Sequence, residues 1–219
     1  MSNNLVDPNN IKKIENIFHK FLNRQDRSDL GISSGSGVRT SGDKIQKIIS
    51  QQSPKLLVDY GKNFIVQDSR KSVYNFAFDD ISRPITFYVN TVTHRIETKF
   101  NMPNITSVDR LQKLYERENF YFIILLISYK STKQKDFVTR VDFKPIEYFT
   151  WDSLGIGALG SGQLQIRNVK NIEYNLGMNR KSWMIEFSDK LKDFYIDEAK
   201  KTVRRIEKAG QLKKIWMNK

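Results

Sequence analysis

Cysteine is absent from this chain of 219 residues, which excludes disulfides, thiolate metal ligands and a cysteine nucleophile together. Histidine is nearly absent: any histidine metal cage or serine-type triad would have to be built from His19 and His94 alone. His19 falls on a predicted helix and is expected at its surface. Long apolar runs are missing as well, since "FIILLI" at 122–127 is far shorter than the ~20 residues a membrane span requires. The opening "MSNNLVDPNN" carries neither the basic and apolar regions of a signal peptide nor an Arg-rich amphipathic face. A soluble, cytoplasmic protein is the expectation.

Acidic residues are the remaining shortfall. Lys and Arg number 37 against 24 Asp and Glu, leaving a net charge of +13 that concentrates polyanions and speeds their encounter with the protein. Nucleic acid is the leading expected partner; an anionic membrane surface and simple solubility are the competing readings. A composition that is 39% hydrophobic and 12% aromatic is that of a globular chain, and one domain over 1–219 is expected.

Hydrophobic spacing sets out the elements. Asp7 and Pro8 read as an N-cap and first-turn proline for a helix with Ile11, Ile14, Phe18, Phe21 and Leu22 on one stripe. "LGISSGSGVRTSGDKIQKIIS" reads as a Ser/Gly loop, with a short helix from about Asp43 bearing Ile45, Ile48 and Ile49. "FIVQD" and "KSVYNFAFDD" predict strands, "ISRP" a turn and "ITFYVNTVTH" a strand, so 72–80 and 85–94 should form a hairpin. After Pro103, Thr106 or Ser107 can cap a helix with Val108, Leu111, Leu114 and Tyr115, and "FYFIILLISY" has the unbroken apolar character of a doubly buried strand. "FVTRVDFKPIEYF" adds a strand, "GIGALGSGQLQIRNV" a Gly-rich turn and strand, and "SWMIEFSDKLKDFYIDEAKKTVRRIEKA" one long helix or two. The fold class is α/β, a mixed β-sheet flanked by helices.

The glycines of "GIGALGSG" lack a following Gly-Lys-Ser/Thr and do not lead from strand to helix, so they read as a turn. Carboxylates near a lysine are the better candidates for chemistry, because a divalent metal needs hard oxygen ligands. A hairpin centred on 82–83 sets Asn75 opposite Asn90, with Val92 two residues along. Extended backwards, the same register sets Asp68 opposite Glu97, with Lys99 beyond. Tyr74, Phe76, Phe78, Phe87 and Val89 are expected on a helix-covered face, and Asn75, Asn90 and His94 on a more polar one. A bulge between His94 and Glu97 would bring both sets to the polar side.

"SGSGVRTSGDKIQKII", "SRKSVYNFAF", "YVNTVTH" and "FNMPNITSVDRL" together make residues about 33–130 resemble the PD-(D/E)XK superfamily, in particular type II restriction endonuclease-like proteins. The resemblance implies a restriction endonuclease-like core, with about 180–219 as a C-terminal helical region. It also implies sequence-specific binding of double-stranded DNA, Mg²⁺-dependent phosphodiester cleavage and a homodimer matched to a palindromic target. The family's first Asp would fall at Asn75, its second acidic residue at Asn90 and its lysine at Val92, where the chemistry is disabled. A rescue assigns Glu97 and Lys99 as the acidic-x-Lys pair with Asp68, Asp79 or Asp80 as metal ligands; otherwise "RIETK" is an exposed strand end. Phosphate contacts are expected from Ser36, Arg39, Thr40, Ser41 and Lys44 at a loop running into a helix, with Arg180 and Lys181 on a basic face. The alternative to a nuclease is a catalytically disabled nuclease-fold DNA-binding or partner subunit, and a further one is a basic protein on RNA or a membrane surface.

Overall fold

A computed structural model describes residues 5–25, 38–67, 72–99, 102–131 and 136–219. Helix α1 (Pro8–Arg24) begins as its sequence dictates: Asp7 accepts from the Asn9 N–H at 2.9 Å, and Pro8 occupies a first-turn position where no N–H is needed. It buries Ile11, Ile14, Phe18 and Leu22. Helix α2 (Val38–Leu56) starts earlier than its Ser/Gly content suggests. Ser41 and Gly42 are helical and buried because the helix lies against the sheet there: a Cβ at Gly42 would stand 2.5 Å from Thr93 Oγ1.

The main sheet holds strands β1 (Gly61–Val66), β2 (Phe76–Asp80) and β3 (Thr86–Arg95), then β5 (Phe120–Ser131) and β6 (Asp136–Pro145), in that spatial order. The hairpin has the register read from its turn, with Phe76 paired to Val89 and Phe78 to Phe87. Helix α3 (Val108–Tyr115) lies on the crossover from β3 to β5, which run parallel, whereas all other neighbours in the sheet are antiparallel. A second sheet, not anticipated from sequence, pairs β4 (Asn104–Ser107) with β8 (Gln163–Ile166) and β8 with β7 (Leu154–Gly157). The chain ends in α4 (Arg180–Met217), capped by Asn179 accepting from the Ser182 N–H at 2.9 Å.

Alternation along the strands feeds two cores. Phe76, Phe78, Phe87 and Val89 meet α1 and α2 on one face. Val92, Ile124 and Leu126 meet α3, the small sheet and α4 on the other, with Trp183 stacked on Trp151 at 5.0 Å. Both faces are therefore covered. The expectation of an open polar face marked by His94 is corrected: His94 is buried, 5% exposed. Tyr74 also departs from the expected face, because regular β2 starts only at Phe76 and Tyr74 instead packs on Tyr88 at 4.9 Å. Among the described residues no helix is long and apolar enough to cross a membrane.

Candidate functional site

The length of β2 makes the site. It has five residues against ten in β3, so the later half of β3 extends past its neighbour and leaves part of one edge without a strand beside it. A polar cleft of about 740 Å³ opens there. Asp43, Gln46, Lys47 and Ser50 line it from α2, a helical spacing that places all four on one side while Ile45 and Ile49 face the core. Gln67 comes from the end of β1, Tyr74 and Asn75 from just before β2, Asn90 and Thr91 from β3, Asn104 and Thr106 from β4, and Arg110 from α3.

Asn75 and Asn90, which sequence set opposite each other, do meet in this cleft, and each is engaged with backbone. Asn75 Oδ1 accepts from the Thr91 N–H at 2.6 Å, so a side-chain carbonyl continues the ladder where strand pairing stops. Asn90 Nδ2 donates to the Ile105 carbonyl at 2.7 Å and ties β3 to β4. Thr91 and Thr106 are buried beside them, and neither Oγ1 has a hydrogen-bond partner among the described residues.

The other expected ligands lie elsewhere. β3 stays in register with β5 through Arg95 opposite Tyr129, with no bulge between His94 and Arg95, and the chain then turns, Thr98 N donating to Arg95 O at 3.1 Å. Glu97 accordingly sits in the turn, 3.4 Å from the Arg95 guanidinium, with Lys99 just beyond; neither lines the cleft. Asp79 and Asp80 are at the opposite end of the hairpin. Asp79 accepts from Asn63 Nδ2 at 3.0 Å and Thr86 Oγ1 at 2.8 Å. Asp80 closes the turn with Arg83 at 2.8 Å and the Ser82 N–H at 2.8 Å. Burial alone would raise the Asp80 carboxyl, but the bonds from Arg83 and Ser82 outweigh it and hold it below the usual carboxylate range.

Asp68 lies outside the described residues, as does Ser36, so their assignments have no placement. The backward extension that put Asp68 opposite Glu97 does not hold for the strands themselves: β1 pairs antiparallel with β2, and Gln67 N donates to Asn75 O, so the chain reverses at that point instead of continuing β2.

The phosphate loop is likewise relocated. Arg39 and Thr40 lie in the first turn of α2, Ser41 is 3% exposed, and Lys44 is half-buried on a side of α2 that does not line the cleft. Arg180 is a fastener rather than part of an open basic face. Its Nε donates to Glu147 Oε1 at 3.0 Å, its Nη2 donates to the Phe120 carbonyl, and its guanidinium lies 4.4 Å from the Phe120 ring centroid. Tyr115 donates to the same Glu147 oxygen at 2.9 Å; burial, and then the negative charge of Glu147, push the Tyr115 phenol well above its ordinary value. Lys181 is exposed.

Lys47 and Arg110, which sequence reasoning passed over, are the cations of the cleft, and Asp43 is the one carboxylate of its described lining. Their signal was the polar side of two helices whose apolar sides were recognised. Among the described residues no group of three His, Asp or Glu side chains could hold a metal ion. One carboxylate with neutral amides does not supply the charge that holds Mg²⁺ against its hydration, so the described lining does not fit that ion. What the cleft offers is hydrogen-bond donors and acceptors beside two cations. No protein-family model matches the chain, and no curated protein matches it either.

Proposed function

We propose that this chain is a duplex-DNA-binding protein of restriction endonuclease-like fold whose cleft holds the phosphodiester backbone without cleaving it. The observation that carries the reading is the meeting of Asn75 and Asn90 in a polar cleft with Lys47 and Arg110, at the place where the resemblance puts catalytic carboxylates and a lysine. The arrangement of helix, antiparallel hairpin, helix and parallel strand supports it, as does the net charge of +13. Amides can bond to phosphate oxygens but do not gather the negative charge a divalent ion requires.

Fluorescence anisotropy on a duplex oligonucleotide at rising salt tests the binding. Affinity should fall steeply with salt, and Lys47→Ala and Arg110→Ala should each lower the slope of log K against log salt by about 1. Absence of binding to any duplex at low salt would end the proposal.

Mg²⁺-dependent cleavage as a type II restriction endonuclease is the second reading. It is favoured by Asp43 and Lys47, an acid and an amine one turn apart on α2 and both in the cleft. Plasmid digestion with Mg²⁺ or Mn²⁺ separates the two: intact plasmid is expected, and cleavage abolished by Asp43→Ala would establish the second.

A further inference from the structure

Glu147 is a carboxylate that the cleft does not use, and one of its oxygens is left over. It sits in the short helical turn Ile146–Tyr148 that follows Pro145 at the end of β6, and it is 3% exposed. Its Oε1 accepts from the Tyr115 hydroxyl at 2.9 Å and from Arg180 Nε at 3.0 Å. Its Oε2 is buried with no hydrogen-bond partner among the described residues. That state costs free energy for a carboxylate oxygen, and a bound donor would relieve it.

The side chain lines a cavity of about 460 Å³ at the end of the sheet where β3 and β5 begin, a volume within the ~300–1,000 Å³ of small-ligand sites. Arg180 is the only other charged residue of the described lining, so the two charges cancel and neither an anion nor a cation is favoured there. The rest is chiefly apolar, with Phe120 and Pro145 buried and Leu176, 54% exposed, at the mouth. A donor accompanies the unused acceptor. Asn179, also in the lining, commits its Oδ1 to capping α4, accepting from the Ser182 N–H at 2.9 Å, and its Nδ2 is left to donate.

We infer that this cavity is a binding site for a nucleobase, a neutral planar heterocycle that carries an N–H donor beside an acceptor on one edge. The base's exocyclic amine or ring N–H answers Glu147 Oε2, its adjacent ring nitrogen or carbonyl answers Asn179 Nδ2, and its ring lies against the apolar walls. An organic cation would meet Arg180, and a carboxylate or phosphate would meet Glu147. Oε2 is closed to solvent, so entry requires a side chain of the lining to turn; half-buried Met178, unbranched and adaptable, is suited to that. The same edge chemistry is offered by a free nucleoside and by a base turned out of a nucleic acid. The cavity shares no described lining residue with the cleft, and the inference is independent of what the cleft binds.

Saturation-transfer NMR of the full chain with cytidine, uridine, adenosine and guanosine, each titrated to about 1 mM, tests the free source. The fluorescence of 2-aminopurine placed opposite an abasic site in a duplex tests the other, since it rises as the base leaves the stack. At least one nucleoside should bind, or the 2-aminopurine signal should rise. Glu147→Gln keeps an acceptor for Tyr115 and Arg180 but turns the free oxygen into an amide donor, and should weaken either signal about tenfold or more. Asn179→Asp should do the same with an unchanged or raised thermal transition, because it keeps the cap of α4 and loses only the donor. Silence from every nucleoside together with a flat 2-aminopurine signal would overturn the inference. So would a signal that survives either substitution, or tighter binding of benzylammonium or benzoate than of any nucleoside. Nucleosides carry no phosphate, so their binding should be indifferent to Lys47→Ala and Arg110→Ala, which separates a failure here from a failure of the cleft.

Discussion

Placing a carboxylate at each of the two asparagines of the cleft should have opposite consequences. Asn75 contributes its Oδ1 as the acceptor for the Thr91 N–H, a role that an Asp carboxylate fills with equal geometry and greater strength. Asn75→Asp should therefore leave stability within about 0.5 kcal/mol of wild type. Asn90 contributes its Nδ2 as a donor to Ile105 O, and Ile105 is 8% exposed. An ionised carboxylate introduced by Asn90→Asp would lose that bond, leave a buried carbonyl without its donor and set a negative charge against it, at a cost of about 2–3 kcal/mol. For a chain of this size that is a fall in Tm of about 5–10 °C.

Only the neutral acid can donate to the carbonyl, so the folded-state pKa of the new carboxyl is raised above its unfolded value. The deficit is then complete at pH 7 and shrinks as the pH falls through that folded value. Urea unfolding followed by the fluorescence of buried Trp151 and Trp183 measures both variants, at pH 7 and at about pH 4.5 with wild type alongside. Equal destabilisation by the two substitutions, or an Asn90→Asp deficit that does not change with pH, would refute the assignment of acceptor at Asn75 and donor at Asn90.

Other consequences follow from the same contacts. Glu147→Ala removes the shared acceptor of Tyr115 and Arg180 and should cost about 1–3 kcal/mol in denaturant unfolding, because it leaves the buried Tyr115 hydroxyl without its acceptor while Arg180, about a third exposed, keeps the Phe120 carbonyl. Phe18→Ala, in the core between α1 and the sheet, should cost about 3–5 kcal/mol by the same measurement. The lowered carboxyl of Asp80 contributes stability above the ordinary carboxylate pKa that is lost as pH falls through its folded value. Acid titration of the wild type should show that loss, and Asp80→Asn should flatten it.

The elements read most directly from sequence are those whose burial is periodic and local. The stripe of α1, the doubly buried run of β5 and the pairing of Phe76 with Val89 each follow from side-chain spacing and turn position, and each is present. The failures come from tertiary contact. Ser41 and Gly42 have loop-like propensities, yet both are helical and buried where α2 lies on the sheet, and at Gly42 only a residue without a Cβ fits against Thr93. Propensity has no access to that neighbour. The backward register failed for the same kind of reason: carrying β2 past Asn75 assumes a longer strand, whereas β1 returns antiparallel and Gln67 already pairs with Asn75.

That early reversal also explains why the site has its present composition. A β2 strand reaching back to residue 68 would have covered the later half of β3, and no cleft would exist between α2 and β4. Because β2 stops, the ladder needs a substitute acceptor at the break, and the Asn75 amide supplies it. On the other side, β4 is held to β3 through the Asn90 amide, so the cleft floor is fixed by two side chains that are neutral at every physiological pH. An opening built this way keeps its shape without a bound cation to hold repelling carboxylates together. The same two residues that remove the expected metal chemistry are therefore the ones that fix the cleft floor, and the cations a negatively charged ligand would meet there are Lys47 and Arg110.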